Sequence, residues 1–336
     1  MTLINSAKNQ NSRILSVGAY RPETVVPNSE IIHLIDSTDE WIQQRTGIES
    51  RRFAAPDESV IDMAAKASQQ ALDRAHLTMA DIDTVIVATI TYPFQAPSAA
   101  TALVAALGNP KAAAFDINAA CAGFCYALGM ASDFVRSGTS KHVLVVGVEK
   151  LSDFTDPDDR ATAFIFADGA GAVIVGPSER PGIGPTVWGS DADSRDAIVM
   201  NPSWNEFRND AQGVKWPNIS QQGQAVFRWA VFSMSKAGLR ALEAAGVTPD
   251  QLDAFIPHQA NVRIIETMAK EMKIPEKVII AQDIRTSGNT SAASVPLAMS
   301  ALLAEHPELH GGLALLIGYG AGLVYAGQVV QLPPKP

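Results

Sequence analysis

"ALDRAHLTMADIDTVIVATIT" (71–91) and "ALEAAGVTPDQLDAFIPHQAN" (241–261) are two readings of one pattern. Across this 170-residue offset Ala71/Ala241, Leu72/Leu242, Ala75/Ala245, Thr78/Thr248, Asp83/Asp253 and Ile86/Ile256 coincide without a gap. Asp73/Glu243 and Ile82/Leu252 are similar as well. Self-similarity at a fixed period marks a repeated structural unit. The same offset carries Cys121 onto Ser291, and one place later "VVGVE" (145–149) overlies "LIGYG" (316–320). The chain therefore reads as two copies of one unit, 1–178 and 179–336. Duplicated units pair about a pseudo-twofold axis and build a site where they meet.

Strand-like apolar runs recur at 13–20, 83–91, 113–117, 141–149, 169–176, 253–259 and 278–284, with two more ending the chain. Helical periodicity fits 58–76, 121–137, 223–245, 260–272 and 292–305. Strands alternating with helices predict an α/β fold whose sheets are covered on both faces.

Composition narrows the function. With 47% apolar and 18% charged residues in 336, the chain can bury a large core. A net charge of −9 argues against nucleic acid as partner, which calls for a basic footprint. Two cysteines four residues apart make neither a disulfide framework nor a metal site. The start, "MTLINSAKNQNSRILSV", lacks a basic stretch followed by an apolar one, so no secretory leader is expected. The apolar run "LALLIGYGAGLVYAGQVV" (313–330) is broken by glycines and reads as two buried strands, not a membrane span. A cytoplasmic protein without membrane insertion is expected.

In "DINAACAGF" (116–124), Cys121 stands between a strand-like run and a helix-like one. A helix start offers unpaired N–H groups and a dipole that favour a thiolate. Small neighbours let a substrate approach the sulfur. Free cysteines are also among the most buried residues, so Cys121 alone fits a packing role too. Cys125, one turn on, has no such setting and reads as packing. "IPHQAN" (256–261) puts His258 at the end of the second copy's strand, where sites of open α/β sheets lie. "GNTSAAS" (288–294) puts Asn289 in a turn that mirrors the cysteine turn. Singly, these are a core histidine and a turn or cap residue. Together a thiol, an imidazole and a carboxamide suit acyl transfer from a thioester.

Five ordered motifs, "STDEWIQQRTGIESR" (37–51), "NAACAGF" (118–124), "FADGAGA" (166–172), "PHQANVR" (257–263) and "GNTSAASVPLA" (288–298), resemble β-ketoacyl-acyl carrier protein synthase III. The resemblance spans essentially the whole chain and is greatest to the actinobacterial, mycobacterial type of this condensing enzyme. It implies the thiolase-like fold, a duplicated five-layer αβαβα architecture, and a homodimer. It also implies acyl-CoA and malonyl-acyl carrier protein as substrates, with neither cofactor nor metal.

The resemblance assigns roles. Cys121 takes the acyl group, while His258 and Asn289 stabilise the enolate left by decarboxylation. Backbone N–H groups of Cys121 and Ala321 form the oxyanion hole; Ala321 stands where the family often has glycine. Trp41, Arg45 and Arg160 match the coenzyme A adenine site, and Phe227 and Asn261 its pantetheine channel. Arg228, Gln259, Ala260, Asn261, Val262, Arg263 and Lys270 fall at carrier-protein docking positions. In "TYPFQAPSAA" (91–100), Ala96 stands where short-chain members carry an acyl-pocket phenylalanine contributed across the dimer, which implies a medium or long primer. Elongating ketosynthases pair their cysteine with two histidines, and thiolases use a second cysteine near the C-terminal glycine turn. Neither pattern is present here. A starter enzyme of a polyketide or other secondary pathway shares these motifs and stays open.

Overall fold

The computed structural model describes residues 10–210, 213 and 215–336. Ten strands form two five-stranded sheets. The first holds β1 (Asn11–Tyr20), β2 (Thr84–Ala88), β3 (Ala113–Ile117), β4 (Val143–Lys150) and β5 (Asp168–Ser178), in the order β1-β5-β4-β2-β3. The second holds β6 (Val187–Ser190), β7 (Ala254–Pro257), β8 (Ile279–Ile280), β9 (Leu313–Gly320) and β10 (Val324–Gln331), in the order β6-β10-β9-β7-β8. The two orders are the same with every label advanced by five. Strand directions agree too: β2 runs parallel to β3 and β4 while β5 is antiparallel to β1 and β4, and the second sheet repeats this.

Seven helices position the site: α1 (Asp39–Thr46), α2 (Val60–Arg74), α3 (Ala99–Ala106), α4 (Gly123–Ser137), α5 (Gly223–Ala245), α6 (Val262–Glu271) and α7 (Ser294–Glu305). Residue alternation along the strands sorts them into layers. Ile86, Val143, Val145, Ile256, Ala314 and Leu316 face a central core with Phe124, Leu128 and Val135 of α4 and Val295, Met299 and Leu302 of α7. Their neighbours Val85, Val87, Leu144 and Val146 face α2 and α3, whereas Phe255, Leu315 and Ile317 face α5 and α6. The result is five layers, αβαβα, as the family resemblance implies. Each fully buried large side chain in these cores contributes about 1.5–3 kcal/mol of transfer free energy.

The repeated sequence builds a repeated joint. Thr78 and Thr248 each close a capping box, with Asp81 and Gln251 respectively. Asp83 N–H donates to His142 O and its carboxylate accepts Lys141 N–H; Asp253 does the same to Leu313 O and from Leu313 N–H. A carboxylate thus starts β4 and β9 alike. The structure shifts one correspondence. The left-handed residues of the two mirrored turns are Ala120 (φ 44°) and Ser291 (φ 49°), so the counterpart of Cys121 is Ala292, not Ser291. The one-residue slip seen at 145/316 therefore already applies at the cysteine turn.

Other differences have local causes. The expected strand 278–284 shortens to two residues, because the chain turns back so that Ile284 N–H can donate to Gln259 Oε1. α3 escaped the periodicity because "AATALVAA" is apolar all round; Asp116 fixes its start by accepting from Ala99 and Ala100 N–H, both at 2.7 Å.

The halves meet closely at β4. A Cβ on Gly147 would stand 2.2 Å from Ala292 O and 2.7 Å from its carbon, both backbone atoms. Gly147→Ala is expected to cost about 1–3 kcal/mol by overpacking. Gly223→Ala, with nothing within 4 Å, should be neutral or gain up to about 1 kcal/mol at its helical position. Urea midpoints compare the two; equal midpoints would show that the seam tolerates a methyl group.

Candidate active site

A cavity of about 1180 Å³ is lined by Cys121, His258 and Asn289, together with Trp41, Arg45 and Phe227. Its reactive end lies beyond the carboxyl ends of β3 and β7, the expected place in a parallel α/β arrangement. Cys121 occupies a short 3-10 turn (Ala120–Ala122) directly before α4. The left-handed backbone at Ala120 is a local strain that this turn holds. Gly320 allows the approach from the other half: a Cβ there would lie 2.8 Å from Cys121 Cβ and N and 2.9 Å from Sγ.

The backbone N–H groups of Cys121 and Ala321 and the Ser291 hydroxyl each pull the Cys121 thiol down. Burial nevertheless pushes its thiol up to about 11. The sequence argument from the helix start favours a thiolate; desolvation outweighs it here, so the resting group is a neutral thiol. Cys125, packed in the central core, is pushed up to about 12 by burial.

His258 N–H donates to Ile317 O at 2.7 Å, tying the residue to β9. Burial depresses its imidazole to about 3, so the ring is neutral. Nδ1 lies 2.7 Å from Ser294 Oγ, which also accepts Gln259 N–H at 3.3 Å. In the tautomer where the Ser294 hydroxyl donates to Nδ1, Nε2 carries the ring proton toward the cavity. Asn289 Oδ1 accepts Ser291 N–H at 2.9 Å, which leaves its NH₂ group as the free donor. Asn289 backbone bonds to Ile165 O and Ala167 N–H hold it against the first half. The site thus collects N–H donors around a thiol, and among the described residues no Asp or Glu lines the cavity. Such an arrangement stabilises negative charge on thioester oxygens.

At the opposite wall, Trp41 has Arg45 and Arg160 guanidinium carbons 5.6 and 5.8 Å from its ring centroid. Thr38 caps α1 through Trp41 N–H, and Phe164 packs edge-on to the indole at 5.5 Å. Arg45 lines the cavity, whereas Arg160 is exposed and reaches it only over Trp41. Asn261 caps α6 by accepting Arg263 N–H and donates to Arg45 O, stapling α6 to α1. Phe227, Arg228, Ala260 and Arg263 line the cavity, with Arg263 5.5 Å over the Phe227 ring. Lys270 is exposed on α6 outside the cavity.

Two expected docking residues need correction. Gln259 is buried, donating to Pro257 O and Ala281 O. Val262 is buried against Gly47. Neither presents a surface to a partner. Ala96 is exposed and stands outside this chain's cavity wall, while its neighbour Gln95 lines it. Phe94 is exposed and packs edge-on to Tyr92 at 5.6 Å, away from the cavity lining. Sequence reasoning missed Ser294, Ser291, Tyr319 and the buried Glu149; the two serines stand in a quoted motif, and an acid ending the apolar strand "VLVVGVE" was the available signal for the last.

Among the described residues no group of three His, Cys, Asp or Glu side chains is placed to hold a metal, and no helix is long and apolar enough to cross a membrane. A duplicated αβαβα chain with a cysteine turn at the seam, facing a histidine and an asparagine, defines a thiolase-fold condensing enzyme. The profile of 3-oxoacyl-[acyl-carrier-protein (ACP)] synthase III matches residues 115–192, and that of its C-terminal region matches residues 242–332. The chain is 56% identical over 331 residues to β-ketoacyl-[acyl-carrier-protein] synthase III 1 of Streptomyces coelicolor, covering 96% of each. It is 53% identical over 324 residues to the mycobacterial β-ketoacyl-[acyl-carrier-protein] synthase III of Mycobacterium avium, again covering 96% of each. The solved priming β-ketosynthase of the R1128 polyketide biosynthetic pathway superposes with a TM-score of 0.97 at 46% identity, over 99% of each chain. The chain belongs to the β-ketoacyl-acyl carrier protein synthase III family and is an acyltransferase.

Proposed function

We propose that the enzyme condenses an acyl-CoA primer with malonyl-acyl carrier protein through an acyl-Cys121 intermediate, releasing CO₂ and starting fatty-acid elongation. The observation that carries this reading is the sharing of one cavity by Cys121, His258 and Asn289, with the Cys121 and Ala321 N–H groups at the sulfur. Cys121 attacks the thioester, and those two N–H groups receive the oxyanion; one such donor is worth roughly 3 kcal/mol. CoA leaves through the channel past Phe227 and Asn261, its adenine held by Trp41, Arg45 and Arg160. Malonyl thioester then binds with its carbonyl between His258 Nε2–H and the Asn289 amide. Loss of CO₂ leaves an enolate that these neutral donors stabilise, and its carbon attacks acyl-Cys121.

The same reading divides the chain into a nucleophile half, 1–178, and a half carrying His258 and Asn289, 179–336. Arg228, Ala260, Asn261, Arg263 and Lys270 form the docking face for the acidic carrier protein, whose attraction is screened by salt. The enzyme works as a cytoplasmic homodimer, with acyl-CoA and the carrier protein as substrates and no cofactor. The likeness to a priming ketosynthase favours one second reading, the same chemistry feeding a polyketide assembly. The carrier protein accepted in vitro separates the two.

His258→Ala and Asn289→Ala should each still form acyl-Cys121 but lose malonyl decarboxylation by about 100-fold or more. Single-turnover acylation and CO₂ release measure the two steps. Acylation lost as fully as decarboxylation would end this division of labour.

Primer length rests on Ala96, which puts a methyl group where a ring would close the partner's acyl pocket. Each further buried CH₂ then contributes about 0.8 kcal/mol, less the cost of ordering the chain. Wild type should prefer lauroyl-CoA to acetyl-CoA in kcat/KM, and Ala96→Phe should reverse that preference. A wild-type preference for acetyl-CoA, or an Ala96→Phe variant that still takes lauroyl-CoA undiminished, would refute the long-chain pocket.

A further inference from the structure

Directly behind the nucleophile lies a carboxyl group that the chemistry above does not use. Glu149, at the end of β4, is fully buried. Its Oε2 accepts from Thr91 Oγ1 at 2.7 Å, Ile90 N–H at 3.1 Å and Thr89 Oγ1 at 3.2 Å. Oε1 accepts from Ser291 Oγ at 3.2 Å, and Ser291 lines the same cavity as Cys121 and bears on its thiol. Three donors fix one carboxyl oxygen and leave the other aimed, through a single hydroxyl, at the thiol. Ser291 is itself buried and supplied by the opposite half, so the chain sulfur–hydroxyl–carboxyl crosses the seam.

We propose that Glu149, acting through Ser291, receives the proton that Cys121 sheds on acylation and returns it when the sulfur is released at condensation. The inference rests on the acyl-Cys121 reading above. A neutral buried thiol must lose its proton to attack, and an acyl-CoA seated in the cavity displaces the water that would otherwise take it. In the first step the Cys121 proton passes to Ser291 Oγ as the Ser291 hydrogen passes to Glu149 Oε1. The sulfur bonds to the acyl carbon, the bond to CoA sulfur breaks, and the CoA thiolate takes a proton from water. In the second step malonyl carboxylate leaves as CO₂ and its electron pair attacks the acyl carbon. The bond to Cys121 breaks, and the thiolate recovers its proton from Glu149 through Ser291. One proton from water is consumed per turnover.

Burial raises the Glu149 carboxyl to about 7, so it changes state near neutrality. Among the groups around it, Cys121 is the titratable partner, and the two share protons as a pair. Lys150 turns away to the carbonyls of Ala55, Pro56 and Glu58; Asp168 is bound by Ser152 and Ala54; His258 is neutral. Glu149 is therefore a positioning and proton-holding residue, not one that touches substrate.

A charge acting without the relay has the opposite sign. Ionised Glu149 raises the Cys121 thiol, so a purely electrostatic neighbour predicts that Glu149→Gln speeds acylation. The relay predicts that it slows acylation. The test measures single-turnover acylation by the acyl-CoA that wild type accepts best, divided by each variant's own malonyl decarboxylation rate, across neutral pH. Wild-type acylation should rise with pH through about 7, as the acceptor ionises. Glu149→Gln and Ser291→Ala should lower the ratio by about 100-fold and abolish the rise, with Glu149→Asp recovering part of both. An unchanged or raised ratio in Glu149→Gln overturns the relay while leaving acyl-Cys121 intact. Absence of any wild-type adduct on Cys121 overturns the underlying reading and the relay together.

Discussion

The molecule depends on a backbone contact made twice across one seam. Gly318 and Gly320 of β9 lie under the cysteine turn, where a Cβ would meet Ala122, Cys121 and the sulfur at 2.8–3.3 Å. Gly147 of β4 lies under the equivalent turn of the other half, against Ala292 and Ala293. Each sheet therefore supports the other half's helix start, and α4 and α7 are locked in the shared central layer. Because close-packed interiors do not deform continuously, this seam sets where the nucleophile can be. It also brings Ala321 N–H and Ser291 to the sulfur from the opposite half.

Burial at that seam decides the electrostatics. The thiol is raised, the imidazole depressed and the Glu149 carboxyl raised, each with desolvation as the leading cause. The resting site is thus poor in net charge, which suits substrates whose charge develops during reaction. Preorganised N–H donors stabilise that charge without reorganising, which is worth more in a dry site than in water. The Ser294 hydroxyl and the Ser291 backbone N–H orient His258 and Asn289.

Much of this was legible in the chain. The match between 71–91 and 241–261 implied duplication, and the same residues build identical joints at Thr78/Thr248 and Asp83/Asp253. Cys121, His258 and Asn289 stood out because each follows a strand of the repeat. What stayed hidden lacked a periodic signature. β6 is four residues long, α3 is apolar on all sides, and the Cys121/Ser291 equivalence failed by one residue in a turn where offset carries no backbone conformation. The raised thiol has no signature in the sequence, where a helix start is visible but desolvation, a property of the packed site, is not. Gln259 and Val262 share a motif with true surface residues, yet their side chains point inward.

The most direct test of the account is to incubate the enzyme with acyl-CoA, quench, and map the acyl group by peptide mass spectrometry, before and after adding malonyl-acyl carrier protein. The prediction is a thioester adduct on Cys121 that malonyl-acyl carrier protein discharges, with Cys125 unmodified. An adduct on Cys125, or condensation in a Cys121→Ala enzyme that carries no adduct at all, would contradict it.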